Sequence, residues 1–199
     1  MRELTLYDSA ISGNSYKCRL LLAQLELPYK LVPVDLLKGA ARTESFRKLN
    51  PFYRVPFLTD GDFSLSESNA ILLYLARGSR FLPDDARAQA LIAQWMFFEQ
   101  NQLEASIAVS RWFLRFEPQS PRAKPALELH KLRGTRSLEV LEQHVAKNEF
   151  LVGGYSVADI ALFGYTPLAG EGGFPLDGFP HVRAWIERVK AQPRFVPMG

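Results

Sequence analysis

The spacing of apolar positions changes character once along the chain. Residues 4–7 alternate in the manner of a short strand, residues 8–14 form a polar loop, and residues 15–25 repeat at helical spacing until Pro28. A second apolar run at 29–34 predicts another strand. Thr43 is placed to cap a short helix ending near Leu49, and Asn50-Pro51 breaks it. Residues 55–59, the turn Asp60-Gly61-Asp62 and residues 63–65 predict a β-hairpin, after which 67–76 return to helical periodicity. The order is βαβ followed by ββα.

Beyond Gly78, Ser79 and Pro83 every strong periodicity is helical. Residues 85–116 predict one long, kinked helix carrying Leu91, Ile92, Trp95, Leu103, Ile107 and Leu114, stopped by Pro118 and Pro121. Pro125 suits the first turn of a helix running to about Lys147. Ser156, with Asp159 three residues on, predicts a capping box for a buried helix, and Pro180 opens an amphipathic helix with Val182, Trp185, Ile186 and Val189. The expected organisation is an α/β domain over residues 1–78 and an all-α domain over 85–199.

Composition narrows the functional classes. The 199 residues are 47% hydrophobic and 23% charged, ordinary for a globular protein. The net charge of +3 is spread without a basic run, so the chain lacks a nucleic-acid footprint, although a mild positive field favours small anionic ligands. One cysteine, Cys18, excludes an intrachain disulfide framework; His130, His144 and His181 have no metal-ligand spacing. Charge at Arg2 and Glu3, and the lack of a long apolar segment, predict a cytoplasmic protein without membrane or metal.

Asn50-Pro51 leading to Val55-Pro56, then Ser66-Glu67-Ser68-Asn69-Ala70-Ile71, and later Gly154-Tyr155-Ser156-Val157-Ala158-Asp159, together resemble the cytosolic glutathione transferase family. The resemblance spans essentially the whole chain. It implies a thioredoxin-like N-terminal domain, an all-helical C-terminal domain, a homodimer, and glutathione as co-substrate. On that resemblance Val55 offers backbone N–H and C=O to the cysteinyl part of glutathione, with Pro56 turning the chain. Glu67 and Ser68, at a helix N-terminus, read the amine and carboxylate of the γ-glutamyl head. Read alone, Pro56 ends a strand, Ser66 is a cap and Glu67 a first-turn acid. The glycyl carboxylate calls for a cation, Arg42 ahead of Lys38, and Arg54 stands where relatives carry a ligand-contacting residue. Phe52-Tyr53-Arg54 departs from the Phe-Gly-Gln of many relatives.

A thiol with a pKa near 8.5 is mostly protonated at neutral pH, so a donor must favour the thiolate. Ser12 matches the catalytic serine of the tau, phi and zeta classes and the threonine of the bacterial nu class, and Asn14 the nu-class asparagine. Ser12 is therefore expected as principal donor and Asn14 as auxiliary, with Ser15 as the helix cap. Tyr7 and Cys18 are read as packing residues, and the lack of a cysteine pair sets the chain apart from glutaredoxins. Ile11, Ser110, Phe113 and Tyr165 are expected to line the hydrophobic substrate site, and Phe52 to insert into a neighbouring subunit. The reaction implied is transfer of glutathione to a small hydrophobic electrophile. The alternatives are glutathione-dependent reduction of a disulfide or peroxide, or a non-catalytic interaction protein on the same scaffold.

Overall fold

The computed structural model describes residues 3–198, so Met1 and Arg2, where the expectation of a charged, signal-free start rests, lie outside the described residues. The chain divides into two compact units, residues 1–77 with 193–199, and residues 78–192.

The first unit contains β1 (Leu4–Asp8), α1 (Gly13–Gln24), β2 (Lys30–Pro33), α2 (Glu44–Leu49), β3 (Phe57–Asp60), β4 (Phe63–Ser66) and α3 (Ser68–Ala76). The sheet order is β2-β1-β3-β4, with β1 parallel to β2 and the other neighbours antiparallel. Alternation along β1 separates Leu4 and Leu6 from Tyr7. Leu4 and Leu6 are buried with Leu20, Leu21, Leu58, Ile71 and Leu72. Tyr7 faces the other way and packs on a smaller cluster of Val34, Ala41, Phe46 and Val55. Its ring meets Phe46 edge-on at 6.3 Å and Phe57 at 5.6 Å, so it is a packing residue.

The register fixes where the loops emerge. Asp8, ending β1, pairs with Pro33, ending β2; Tyr7 pairs with Phe57, which starts β3; and Phe57 pairs with Ser66, which ends β4. The loop at 9–12, the Val55-Pro56 step and the Glu67-Ser68 step therefore leave the sheet at the same end.

The chain's last residues also belong to this unit, although the sequence reading put everything to 199 in the helical half. Their carbonyls accept from side chains of α1: Tyr16 Oη donates to Val196 O at 2.7 Å and Arg19 Nη2 to Met198 O at 2.9 Å. Arg19 Nη1 is meanwhile paired with the buried Asp8 at 2.7 Å.

The second unit is helical: α4 (Ala86–Phe98), α5 (Glu104–Arg115), α6 (Ala123–Val145), α7 (Val157–Phe163) and α8 (Pro180–Lys190). The expected long helix over 85–116 is interrupted by a π-helical turn at Glu99–Leu103, where Asn101 Nδ2 bonds back to Phe97 O at 2.9 Å. Helix α7 is buried throughout and opens with a complete capping box. Asp159 accepts from Ser156 N at 3.0 Å, Ser156 Oγ at 3.2 Å, Leu151 N at 3.1 Å and Trp185 Nε1 at 3.0 Å, tying α7 to α8 and to the preceding loop. Glu142 on α6 caps α8, its two carboxylate oxygens accepting from His181 N at 3.0 Å and Val182 N at 2.8 Å. Among the described residues no helix is long and apolar enough to cross a membrane.

Candidate active site

Helix α1 starts at Gly13, earlier than its apolar spacing predicted, because its cap is Ser12. Ser12 is extended at φ −91° and ψ 116°, and its Oγ accepts from Ser15 N at 3.2 Å. The capping role expected of Ser15 thus belongs to Ser12. Ser15 sits inside the first turn, fully buried, its hydroxyl without a partner among the described residues. The reason is local: a serine one turn earlier can satisfy the first free N–H groups, and Gly13 and Asn14 carry no apolar signal that would have marked them as helical. Capping uses the Ser12 oxygen only as an acceptor. Its hydroxyl proton goes to no group among the described residues and is available to a ligand.

The Val55-Pro56 bond is cis and both residues are buried. Among the described residues neither the N–H nor the C=O of Val55 has a hydrogen-bond partner, although Phe57 begins β3 two residues on. This is a strand edge left unpaired for a short extended segment. Asn50, read from sequence only as a breaker, holds the edge in place. Fully buried, it donates from Nδ2 to Arg54 O at 2.8 Å while its Oδ1 accepts from Phe52 N at 3.0 Å and Ser66 Oγ at 2.8 Å. One amide side chain thus joins the loop before Val55 to the strand before Glu67. Tyr53 takes a left-handed φ of 57°, under the guanidinium of Arg47 at 4.8 Å.

Glu67 is the cap residue of α3 in a backbone conformation rare for a side chain, φ 71° and ψ 115°. It makes no side-chain cap bond and is exposed, leaving its carboxylate to solvent. Ser68, the first residue of α3, is buried, and its N–H is one of the unpaired donors at the positive end of the helix. Its hydroxyl donates to Asn14 Oδ1 at 3.2 Å and accepts from Lys17 Nζ at 3.4 Å. Asn14 and Ser68, named separately from sequence, are therefore in direct contact, and Lys17, which the sequence reading passed over, lies behind both.

The other expected residues are placed less tightly. Arg42 ends a short 3₁₀ turn at Ala40–Arg42 and is exposed, as is Arg54. Lys38 is exposed and paired with Asp35 at 3.6 Å, which leaves Arg42 the better candidate for an incoming carboxylate. Ile11 lines an apolar groove of about 230 Å³ in the first unit, with Ala10, Pro33, Val34, Leu36 and Leu37. Ser110 and Phe113 share a face of α5 and Tyr165 follows α7; all three are buried, and the Ser110 hydroxyl has no partner among the described residues.

Cys18 lies inside α1, fully buried, where burial pushes its thiol up to about 12. The native protein should therefore resist iodoacetamide at neutral pH and react only after unfolding, as mass spectrometry can follow. Prompt stoichiometric labelling of the native chain would contradict this placement. Among the described residues no group of three or more His, Cys, Asp or Glu side chains could hold a metal ion.

Residues 2–77 match the family model for the glutathione S-transferase N-terminal domain, and residues 106–193 that for its C-terminal domain. A crystal structure of glutathione S-transferase from Pseudomonas fluorescens superposes with a TM-score of 0.94 at 43% identity, covering 98% of each chain. A second glutathione transferase family member from the same species, crystallised with two glutathione bound, has a TM-score of 0.86 at 26% identity over 96% of this chain and 90% of its own. The disulfide-bond oxidoreductase YfcG of Escherichia coli is 31% identical over 92% of this chain and 89% of its own length. With both halves matched and the fold shared over nearly the whole length, a thioredoxin-like domain followed by a helical domain, the chain belongs to the glutathione S-transferase family.

Proposed function

We propose that this protein binds glutathione at the common end of its first sheet, ionises its thiol, and transfers the thiolate to a small hydrophobic electrophile in the cytoplasm. The observation that carries the reading is the unpaired Val55 backbone beside a helix terminus bearing Glu67 and Ser68, with the spare Ser12 proton emerging from the same sheet end. In this reading Val55 adds the cysteinyl backbone as an extra strand, Ser68 and Glu67 receive the γ-glutamyl carboxylate and amine, and Arg42 and Arg54 attract the glycyl carboxylate. Ser12 donates to the sulfur and Asn14 assists. The thiolate attacks an electrophilic carbon, forming the C–S bond as the leaving group departs with the bonding electron pair. The groove beside Ile11 suits an apolar substrate; for Ser110, Phe113 and Tyr165, buried in the second unit, the substrate role rests on family membership alone. The exposed Phe52 supports a homodimer in which this ring inserts into its partner.

A second reading keeps glutathione and changes the acceptor. The likeness to YfcG and the presence of Asn14 at the site favour attack of the same thiolate on a disulfide sulfur, releasing the other thiol and forming a mixed disulfide. Calorimetric titration with glutathione, followed by turnover with a chloronitrobenzene, a disulfide and a hydroperoxide, separates the readings. Saturable binding with turnover of the aromatic electrophile supports transfer, while turnover of the disulfide or hydroperoxide alone moves the assignment to reduction. Lack of saturable binding sinks both and returns the chain to the non-catalytic class.

A further inference from the structure

Lysine is among the residues least often fully buried, because moving an ammonium out of water is costly unless it is well paired. Lys17 is nevertheless fully buried in the middle of α1. Its Nζ reaches Ser68 Oγ at 3.4 Å, fifty-one positions away in sequence. An ammonium only donates, so the Ser68 oxygen must accept from it and cannot point its own proton back. That proton points to Asn14 Oδ1 at 3.2 Å. The line Lys17, Ser68, Asn14 therefore has one polarity, with the positive charge behind the hydroxyl and the proton directed away from it. Glu67, the neighbouring acid, is exposed and makes no cap bond in this line.

We propose that Lys17 is a positioning residue for carboxylate recognition: it fixes the Ser68 hydroxyl as a donor and backs it with a buried positive charge, so that the site selects a γ-glutamyl head carrying its α-carboxylate. The inference rests on the assignment of Ser68 to that carboxylate and deepens it. A carboxylate arriving at the α3 terminus replaces Asn14 Oδ1 as acceptor of the Ser68 proton, and meets with it the Ser68 N–H and the helix dipole. Lys17 touches neither the thiol nor the reacting carbon, so its effect falls on affinity and on selection of the head group.

The test compares glutathione with 4-aminobutyryl-cysteinylglycine, which lacks only the α-carboxylate of the γ-glutamyl arm, by calorimetry on the intact protein and its variants. Lys17→Met should weaken glutathione at least about 10-fold, the loss of one charge-assisted contact, and leave affinity for the analogue unchanged. In a Ser68→Ala background the same substitution should change glutathione affinity by much less, because its route through the hydroxyl is gone. Equal weakening of both ligands would mark Lys17 as a merely structural residue and overturn the proposal, as would unchanged glutathione affinity. Should Lys17→Met fail to fold, Lys17→Arg and Lys17→Gln carry the test. Arginine should keep the preference for the carboxylate-bearing ligand and glutamine lose it; a preference retained by glutamine overturns the proposal. If the unaltered protein does not bind glutathione, the reading of the site fails with it, whereas binding that is indifferent to Lys17 removes only the role of Lys17.

Discussion

Replacing Ser12 with glycine should lower turnover about 100-fold while leaving glutathione affinity within a few-fold of the unaltered protein, because removing one donor to a developing anion costs roughly 3 kcal/mol in comparable sites. The choice of glycine follows from the structure. Ser12 is the cap of α1 as well as the proposed donor, so alanine would mix loss of the cap, about 1 kcal/mol, with loss of the hydroxyl. Glycine is itself an accepted cap and costs only a few tenths of a kcal/mol there. Ser12→Gly thus isolates the donor, and Ser12→Thr, which keeps both cap and hydroxyl, should retain most of the activity. Steady-state kinetics with a thermal melt on the same samples decides the matter. A turnover loss matched by an equal loss of glutathione affinity would remove Ser12 from thiol activation and leave it a helix cap.

The largest effect on stability is expected at Asp159. This carboxylate is fully buried, and burial pushes its pKa up to about 6, while the bonds from Trp185, Leu151 and Ser156 act in the opposite direction and favour the ionised form. Asp159→Ala would strand the N–H groups of Leu151, Ser156 and Trp185 in a dry interior, a loss of about 3 kcal/mol or more, read as a lower midpoint in urea denaturation. The pH dependence has a definite sign. In the folded state the group holds its proton up to about pH 6, against 3.8 when unperturbed, so between these values the folded chain binds more protons than the unfolded one. This group's contribution to stability is therefore greatest below the lower value and is lost as pH rises through the upper one. Asp159→Asn, which cannot ionise, should remove that component of the pH profile. A profile from pH 4 to 7 unchanged by Asp159→Asn would contradict the assignment.

Features written in local sequence could be read in advance. The Val55-Pro56 step, the Glu67-Ser68 pair and the Ser156 to Asp159 box are short motifs at fixed spacing, and the structure brings the first two to one end of one sheet. What escaped depends on contacts distant in sequence. Asn50 looked like a breaker because its role is a bond to Ser66 across sixteen positions, visible only once β4 lies beside the loop. A charged residue in a helix normally reads as solvated, and nothing next to Lys17 in sequence announces that α3 will cover it. Ser12 and Ser15 are chemically alike and one turn apart, so periodicity alone could not assign the cap. The tail at 193–198 has no apolar periodicity that ties it to the first unit, and its bonds from Tyr16 and Arg19 are accepted by backbone carbonyls, which carry no side-chain signature.

On the proposed function, the site binds glutathione and holds it as a thiolate. The most direct measurement is a pH titration of thiolate absorbance in the ultraviolet for glutathione bound to the unaltered protein, with free glutathione as reference. A bound thiol ionising about 2 pH units below the free one, a stabilisation of roughly 2.7 kcal/mol, is the predicted result. A bound thiol that titrates like the free one would contradict it, leaving a protein that grips the tripeptide without activating it.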